Sequence, residues 1–196
     1  ICGICPVSHL MASAKACDEI LAVTPPEAAL QLRRVMNLAQ IVQSHALSFF
    51  HLSSPDLLFG FDADPARRNL FGVAADHPQL ARDGIALRRF GQQIIERLGG
   101  KRIHPAWVVA GGVSRPLATD ERDDILATIP EARAAARRTI DWYKAHLADW
   151  AEEASTFAEF PSLYMGLVHG DGSVAYSDGA LRVVDGDGRR LADDVD

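Results

Sequence analysis

Cys2 and Cys5 bracket Gly3 and Ile4, and Pro6, Val7, Ser8 and His9 follow at once. Two thiolates at this spacing can converge on one metal ion, and Gly3 relieves crowding where the chain curls round it. Thiolates are soft ligands that select zinc, copper(I), nickel or iron over magnesium or calcium. Spacing alone leaves three chemistries open. A thioredoxin-like redox pair also sets Cys-Gly-x-Cys at a helix N-terminus, where the dipole lowers the thiol pKa. That fold requires a strand before the motif and strand-helix alternation after it. A structural zinc site requires two further ligands at close spacing, and Cys17 is poorly placed to supply one. The third reading is a pair of inert thiols.

The elements that must position these residues read as helical for most of the chain. Ser8 is expected to cap a helix in which Leu10, Met11, Ala14, Cys17, Ile20 and Leu21 recur at helical spacing, which puts the CxxC at a helix entrance. Cys17 falls on that apolar stripe and is expected to pack as an inert small hydrophobe. Thr24, Pro25, Pro26 and Glu27 read as a capping box with proline in the first turn, opening a second helix to about His51. Ser53 to Asp76 reads as an irregular connection, broken by Pro55, Gly60, Pro65 and Gly72. A third helix is expected from about Pro78 to Leu98, ended by Gly99 and Gly100. Lys101 to Pro116 reads as extended, and Thr119 opens a helical region that Pro130 restarts and that reaches Glu159.

Beyond Phe160 short apolar runs alternate with glycines, and Asp185-Gly186-Asp187-Gly188 suits a tight hairpin turn. The expected fold is therefore mainly α, with long packed helices and a small antiparallel β excursion near the end. Its expected division is helical over 1–159 and β over 160–196. Long helices after the CxxC count against the thioredoxin-like reading.

The 196 residues carry a formal net charge of −6, which gives no support for nucleic-acid binding, since phosphate recognition needs a surplus of clustered Lys and Arg. Three cysteines cannot all pair, so a reducing compartment fits better than a secreted disulfide framework. Val35 to Pro55 carries no Asp, Glu, Lys or Arg, yet Asn37, Gln40, Gln43, Ser44, His45, Ser48 and His51 make it too polar for a membrane span. It reads as a helix buried in protein with its polar groups hydrogen-bonded, and His45 and His51 as satisfied interior groups. Asp62-Ala63-Asp64 and Asp185-Gly186-Asp187-Gly188 lack the rest of a calcium loop and read as ordinary turns. No Gly-x-Gly-x-x-Gly follows an expected strand, so NAD chemistry would belong to a different polypeptide of the same complex.

The longer string Ile1-Cys2-Gly3-Ile4-Cys5-Pro6-Val7-Ser8-His9 resembles the N-terminal metal motif of nickel-iron hydrogenase large subunits, Arg-x-Cys-Gly-x-Cys-x-x-x-His. The arginine of that motif would immediately precede Ile1. The resemblance continues through Gln43 to Leu52, Gly100 to Pro105, Gly111-Gly112-Val113 and Phe160 to Leu163, and so spans essentially the whole chain. Cys-Pro-Val-Ser-His and Ser-Pro-Asp-Leu-Leu look most like the soluble, bidirectional NAD-reducing group.

The resemblance implies a cytoplasmic hydrogenase with a dinuclear nickel-iron site held by four cysteines, its iron carrying cyanide and carbon monoxide. It implies Cys2 and Cys5 as catalytic metal ligands, Cys2 terminal on nickel and Cys5 bridging the two metals. His9 is implied as a hydrogen-bond donor to the bridging thiolate, and His104 as a residue facing the electron-transfer partner. Hydrogen would be split heterolytically between the metals and a nearby base. Electrons would leave through an iron-sulfur small subunit towards NAD-linked diaphorase subunits. The second cysteine pair, and the family's upstream glutamate and outer arginine, are not among these 196 residues, so this chain alone is expected to be inactive. The alternative is a non-catalytic scaffold that binds the partner subunit without an assembled metal site.

Overall fold

A computed structural model describes residues 2–193, so Ile1 of the motif lies outside the described residues. Helix α1 (Pro6–Ile20) begins directly after the CxxC. Its N-cap is Cys5, not Ser8: proline at the first helical position is already set for the helix, so the turn starts at Pro6 and the Cys5 carbonyl accepts from Ser8 N and His9 N at 3.1 and 3.4 Å. The apolar stripe is shorter than its spacing suggests. Val7, Met11 and Ala14 are buried, whereas Ile20 and Leu21 are 80% and 61% exposed and Cys17 is exposed.

Helix α2 (Glu27–Leu47) has Pro26 as its N-cap and no side-chain cap, so the Thr24 capping box does not form. Each residue before a proline is pushed towards extended backbone, and Pro25-Pro26 therefore delays the helix to Glu27. The helix does not simply fade near His51. It widens into a π-helical turn (Ser48–Ser53) and continues as α3 (Ser54–Phe59), followed by α4 (Leu70–Asp76), two helices within the segment read as irregular. Asn69 starts α4 by accepting from Phe71 N and Gly72 N.

Helix α5 (Pro78–Gly99) ends at Gly100, which takes the left-handed conformation at φ 73°. A two-residue-stranded hairpin follows, β1 (Val108–Val109) with β2 (Gly112–Val113). Helix α6 (Thr119–His146) runs straight through Pro130. Proline there costs one backbone hydrogen bond, and the freed carbonyl belongs to Leu126, which is 53% exposed and can turn to water.

The backbone divides into two compact units, Ile1–Leu147 and Ala148–Asp196. The first is helical apart from the β1–β2 hairpin. Its core joins Val7 and Met11 of α1, Met36 and Ala39 of α2, Ile94, Ile95 and Leu98 of α5, and Trp107, Val108 and Ile125. A second cluster gathers Ala46, Phe50, Leu87 and Ala135. The second unit contains α7 (Ala151–Thr156) and an antiparallel pair, β3 (Tyr164–Val168) with β4 (Ala180–Val184), registered Tyr164↔Val184. Asp185 closes the expected tight turn, its Oδ1 accepting from Asp187 N and Arg189 N.

Helices α2 and α5 approach closely at Gly91, where an added Cβ would lie 2.5 Å from the Ala39 carbonyl oxygen and 2.8 Å from Gln43 Cβ. Gly91→Ala is expected to destabilise the first unit by the upper end of about 1–3 kcal/mol, outweighing a helix-propensity gain of about 1 kcal/mol. Gly186 has nothing within 4 Å of an added Cβ. Gly186→Ala should therefore stay within about 0.5 kcal/mol of the parent in the same urea titration. Equal stabilities for the two variants would remove the close-approach argument.

Candidate metal centre

The site is built at the entrance of α1. Cys2 Sγ accepts from Ile4 N at 3.1 Å and from Cys5 N at 3.4 Å, so the loop wraps its own sulfur in backbone donors. The neighbouring Cys5 thiol, then the Ile4 and Cys5 amides, pulls the Cys2 thiol below its ordinary pKa; the Cys2 thiol, then burial, pushes Cys5 up. Such a pair offers one readily formed thiolate and a neighbour that releases its proton when a cation arrives.

Cys2, Pro6, His9 and His104 line one open cavity of about 700 Å³. His9 sits one helical turn beyond Cys5, on the exposed side of α1. His104 arrives from a segment distant in sequence and has a positive φ of 52°, a conformation uncommon outside glycine. Pro105 behind it is buried against the end of α5, where a Cβ on Gly99 would come within 2.3 Å of Pro105 Cβ. The structure thus brings Cys2, His9 and His104 to one opening, with Cys5 joined through the bond from its amide to Cys2 Sγ.

His45 and His51 are not the satisfied interior groups expected. His45 is exposed. His51 Nδ1 is buried without a hydrogen-bond partner among the described residues, and burial, with Arg88 nearby, pushes the ring pKa down. A larger apolar groove of about 850 Å³, lined by residues such as Val42, Phe49, Leu87 and Ile140, includes no thiol and is not this site.

Two features of the surroundings have no motif to announce them. Gln40 and Gln43, 2% and 4% exposed on α2, both donate to the Ile4 carbonyl, at 2.8 and 2.7 Å. Their spacing in a charge-free helix shows that they share a face, but not what that face meets. Further from the thiols, Asp18 of α1 and Arg33 of α2 form a buried ion pair at 2.6 Å. The Arg33 guanidinium also donates to the carbonyls of Val109 and Gly112, and Asp18 accepts from Gly111 N, so the pair stitches the β1–β2 hairpin to both helices.

Among the described residues no group of three or more His, Cys, Asp or Glu side chains converges to hold a metal. The donor set is therefore two soft sulfurs at an open cavity, which fits one half of a thiolate-held nickel or iron site whose remaining ligands come from elsewhere.

Comparison with known proteins agrees with that chemistry. The family described as Nickel-dependent hydrogenase matches residues 1–68. A component of the vhu F420-non-reducing hydrogenase of Methanocaldococcus jannaschii is 40% identical over 189 residues, covering 96% of this chain and 45% of that protein. The chain belongs to the nickel-dependent hydrogenase large-subunit family.

Within that family it is similar to NAD-reducing members. The crystal structure of an NAD+-reducing [NiFe]-hydrogenase in its H2-reduced state superposes with a TM-score of 0.94 at 44% identity, covering 100% of this chain and 44% of the other. The beta subunit of the NAD-reducing hydrogenase HoxS of Cupriavidus necator is 37% identical over 205 residues, 95% of this chain and 41% of that protein. The chain thus spans less than half the length of these relatives. Among the described residues no helix is long and apolar enough to cross a membrane.

Proposed function

We propose that this chain supplies Cys2 and Cys5 to the nickel-iron centre of a hydrogenase, and that the assembled enzyme passes electrons between hydrogen and NAD(H) through partner subunits in the cytoplasm. The observation that carries this reading is the thiol pair at the mouth of α1, with the Ile4 and Cys5 amides donating to Cys2 Sγ and Cys2 opening on a cavity shared with His9 and His104. When bound, the centre, its iron carrying cyanide and carbon monoxide, supplies the heterolytic splitting of hydrogen.

The chain's own residues then divide the remaining tasks. Cys2 and Cys5 give up their protons and bind. His9 orients a thiolate and tunes its electron density. His104, exposed at the same opening, faces the iron-sulfur small subunit, and NAD is handled by diaphorase subunits beyond it. Support for a covered face comes from apolar side chains left in solvent along α2 and its continuation and beside His104: Leu38 is 40%, Leu52 66% and Ile103 47% exposed.

The reading is tested by metal analysis of the full-length subunit purified with its partners, alongside the 196-residue chain alone. Stoichiometric nickel and hydrogen-dependent reduction of NAD are expected in the complex. The chain alone should hold metal weakly and reduce no dye, because two thiolates leave half the coordination sphere open. A nickel-free complex would favour the scaffold role, and hydrogen-dependent dye reduction by the chain alone would overturn the shared site.

A further inference from the structure

We infer that Gln40 and Gln43 form an amide clamp that sets the geometry of the CxxC loop for metal binding, with Arg88 polarising it from α5. This inference rests on the reading of Cys2 and Cys5 as metal ligands. The clamp closes on a single peptide unit. The Ile4 carbonyl accepts from Gln40 Nε2 at 2.8 Å and from Gln43 Nε2 at 2.7 Å, and the amide of that same peptide, Cys5 N, donates to Cys2 Sγ at 3.4 Å. Two donors on the carbonyl fix the plane of the peptide and so aim its N–H at the sulfur. They also draw electron density towards the oxygen, which strengthens the donor on the other side, as hydrogen bonds in series do.

The series extends outward. Arg88 Nη1 donates to Gln43 Oε1 at 3.2 Å, so a guanidinium stands at the far end of a chain of bonds that finishes on the Cys2 sulfur. Gln40 has a further peculiarity: its Oε1 is buried and accepts no hydrogen bond from the described residues. An unsatisfied buried carbonyl is destabilising. An apolar side chain of similar length would avoid that cost while filling the same space, and Ile4 O would still keep its bond from Gln43. What only the amide provides is the second donor on the loop. The two glutamines are positioning residues: they reach the metal through one peptide and one sulfur.

The test uses the full-length subunit in its complex and the variants Gln40→Met, Gln43→Met and Arg88→Met. Three readouts are taken: amide hydrogen exchange of the segment containing Ile4 and Cys5 in metal-free protein, nickel retained against a chelator, and thermal midpoint. Gln40→Met should keep or raise the thermal midpoint, accelerate exchange of that segment about 10-fold or more, and lower nickel retention by about 10-100-fold. Gln43→Met should do the same to exchange and nickel at some loss of stability. Arg88→Met should shift the electron paramagnetic resonance signal of the bound nickel.

A Gln40→Met protein with unchanged exchange overturns the clamp, and faster exchange with unaltered nickel retention overturns its role towards the metal. A nickel signal unmoved in Arg88→Met removes the polarising arm. If the parent complex itself binds no nickel, the functional reading fails, and the exchange result alone then decides whether the clamp fixes the loop.

Discussion

Cys2→Ser or Cys5→Ser in the assembled hydrogenase should strip the complex of nickel and abolish hydrogen-dependent dye reduction. Serine keeps the size of the side chain but replaces a soft thiolate with a hard, weakly acidic hydroxyl, which is a poor ligand for nickel. The two variants should differ before metal is added. Cys5→Ser leaves the backbone donors of Ile4 and Cys5 in place around Cys2 Sγ but removes the Cys5 thiol, the largest cause of the lowered Cys2 pKa, whereas Cys2→Ser removes the sulfur that the loop is built around.

His9 tests the proposed division between metal ligands and the residues that orient them. His9→Ala should cost about 10-100-fold in activity while much of the metal stays, and His9→Gln, which keeps an N–H donor, should lose less. Nickel and iron content measured with turnover for all four variants decides the matter. Complete metal loss in His9→Ala would make His9 a direct ligand; no change in either quantity would leave it an ordinary residue on an exposed helix face.

The largest loss of stability is expected at Arg33. Its side chain and that of Asp18 are 7% and 9% exposed, and the guanidinium spreads its donors over the Asp18 carboxylate and two carbonyls of the β1–β2 hairpin. Arg33→Leu removes all of those donors at once and leaves a buried carboxylate without its counter-charge, so about 3–5 kcal/mol should be lost. Asp18→Asn keeps the shape and can retain Oδ1 as the acceptor for Gly111 N, but it removes the charge and replaces the oxygen that accepts from Arg33 Nη1 with an NH2 donor; because Arg33 still donates to the Val109 and Gly112 carbonyls, it should cost less than Arg33→Leu.

The pH dependence follows from the direction of the Asp18 shift. Arg33 first, then the Gly111 amide, holds the Asp18 carboxyl below its ordinary pKa against the opposing effect of burial. A carboxyl depressed in the folded state adds stability that is fully present above its unfolded pKa of about 3.9 and is lost as pH falls through the lower folded value. In Arg33→Leu burial acts on Asp18 without its counter-charge and raises the carboxyl, so the stability gap between parent and variant should begin to narrow as pH falls through that raised value and go on narrowing towards the parent's lowered one. Urea titrations of both proteins across that range test it, and a gap that is independent of pH down to the acid transition would assign the loss to packing alone.

Much of this architecture follows from signals carried by short stretches of chain. Pro6 forces a helix start beside the thiols, Gly99-Gly100 stops α5, and Asp185 to Gly188 can hardly do other than turn, because each outcome depends on dihedral preferences and hydrogen bonds within a few residues. The CxxC is legible for the same reason: two sulfurs at that spacing can converge on one ion through local geometry alone, and the nine-residue string around them is specific enough to mark a family. Even local rules compete, and at Thr24 the two prolines overruled a capping box, while at Pro130 a long helix absorbed a lost bond that a short one would not survive.

What only the tertiary structure decided are meetings between residues far apart in the chain. Gln40 and Gln43 reach back 36 and 39 residues to one carbonyl of the CxxC loop, and Arg33 spans 76 residues to the Val109 carbonyl. His104 comes to the cavity of Cys2 from across the helical unit, and Cys17, on a stripe that looks buried, ends in solvent while its neighbour Asp18 takes the buried position against Arg33. Periodicity says which side chains share a face; which partner that face meets depends on how whole helices pack, and packing is set by the summed fit of many side chains, which no short segment carries.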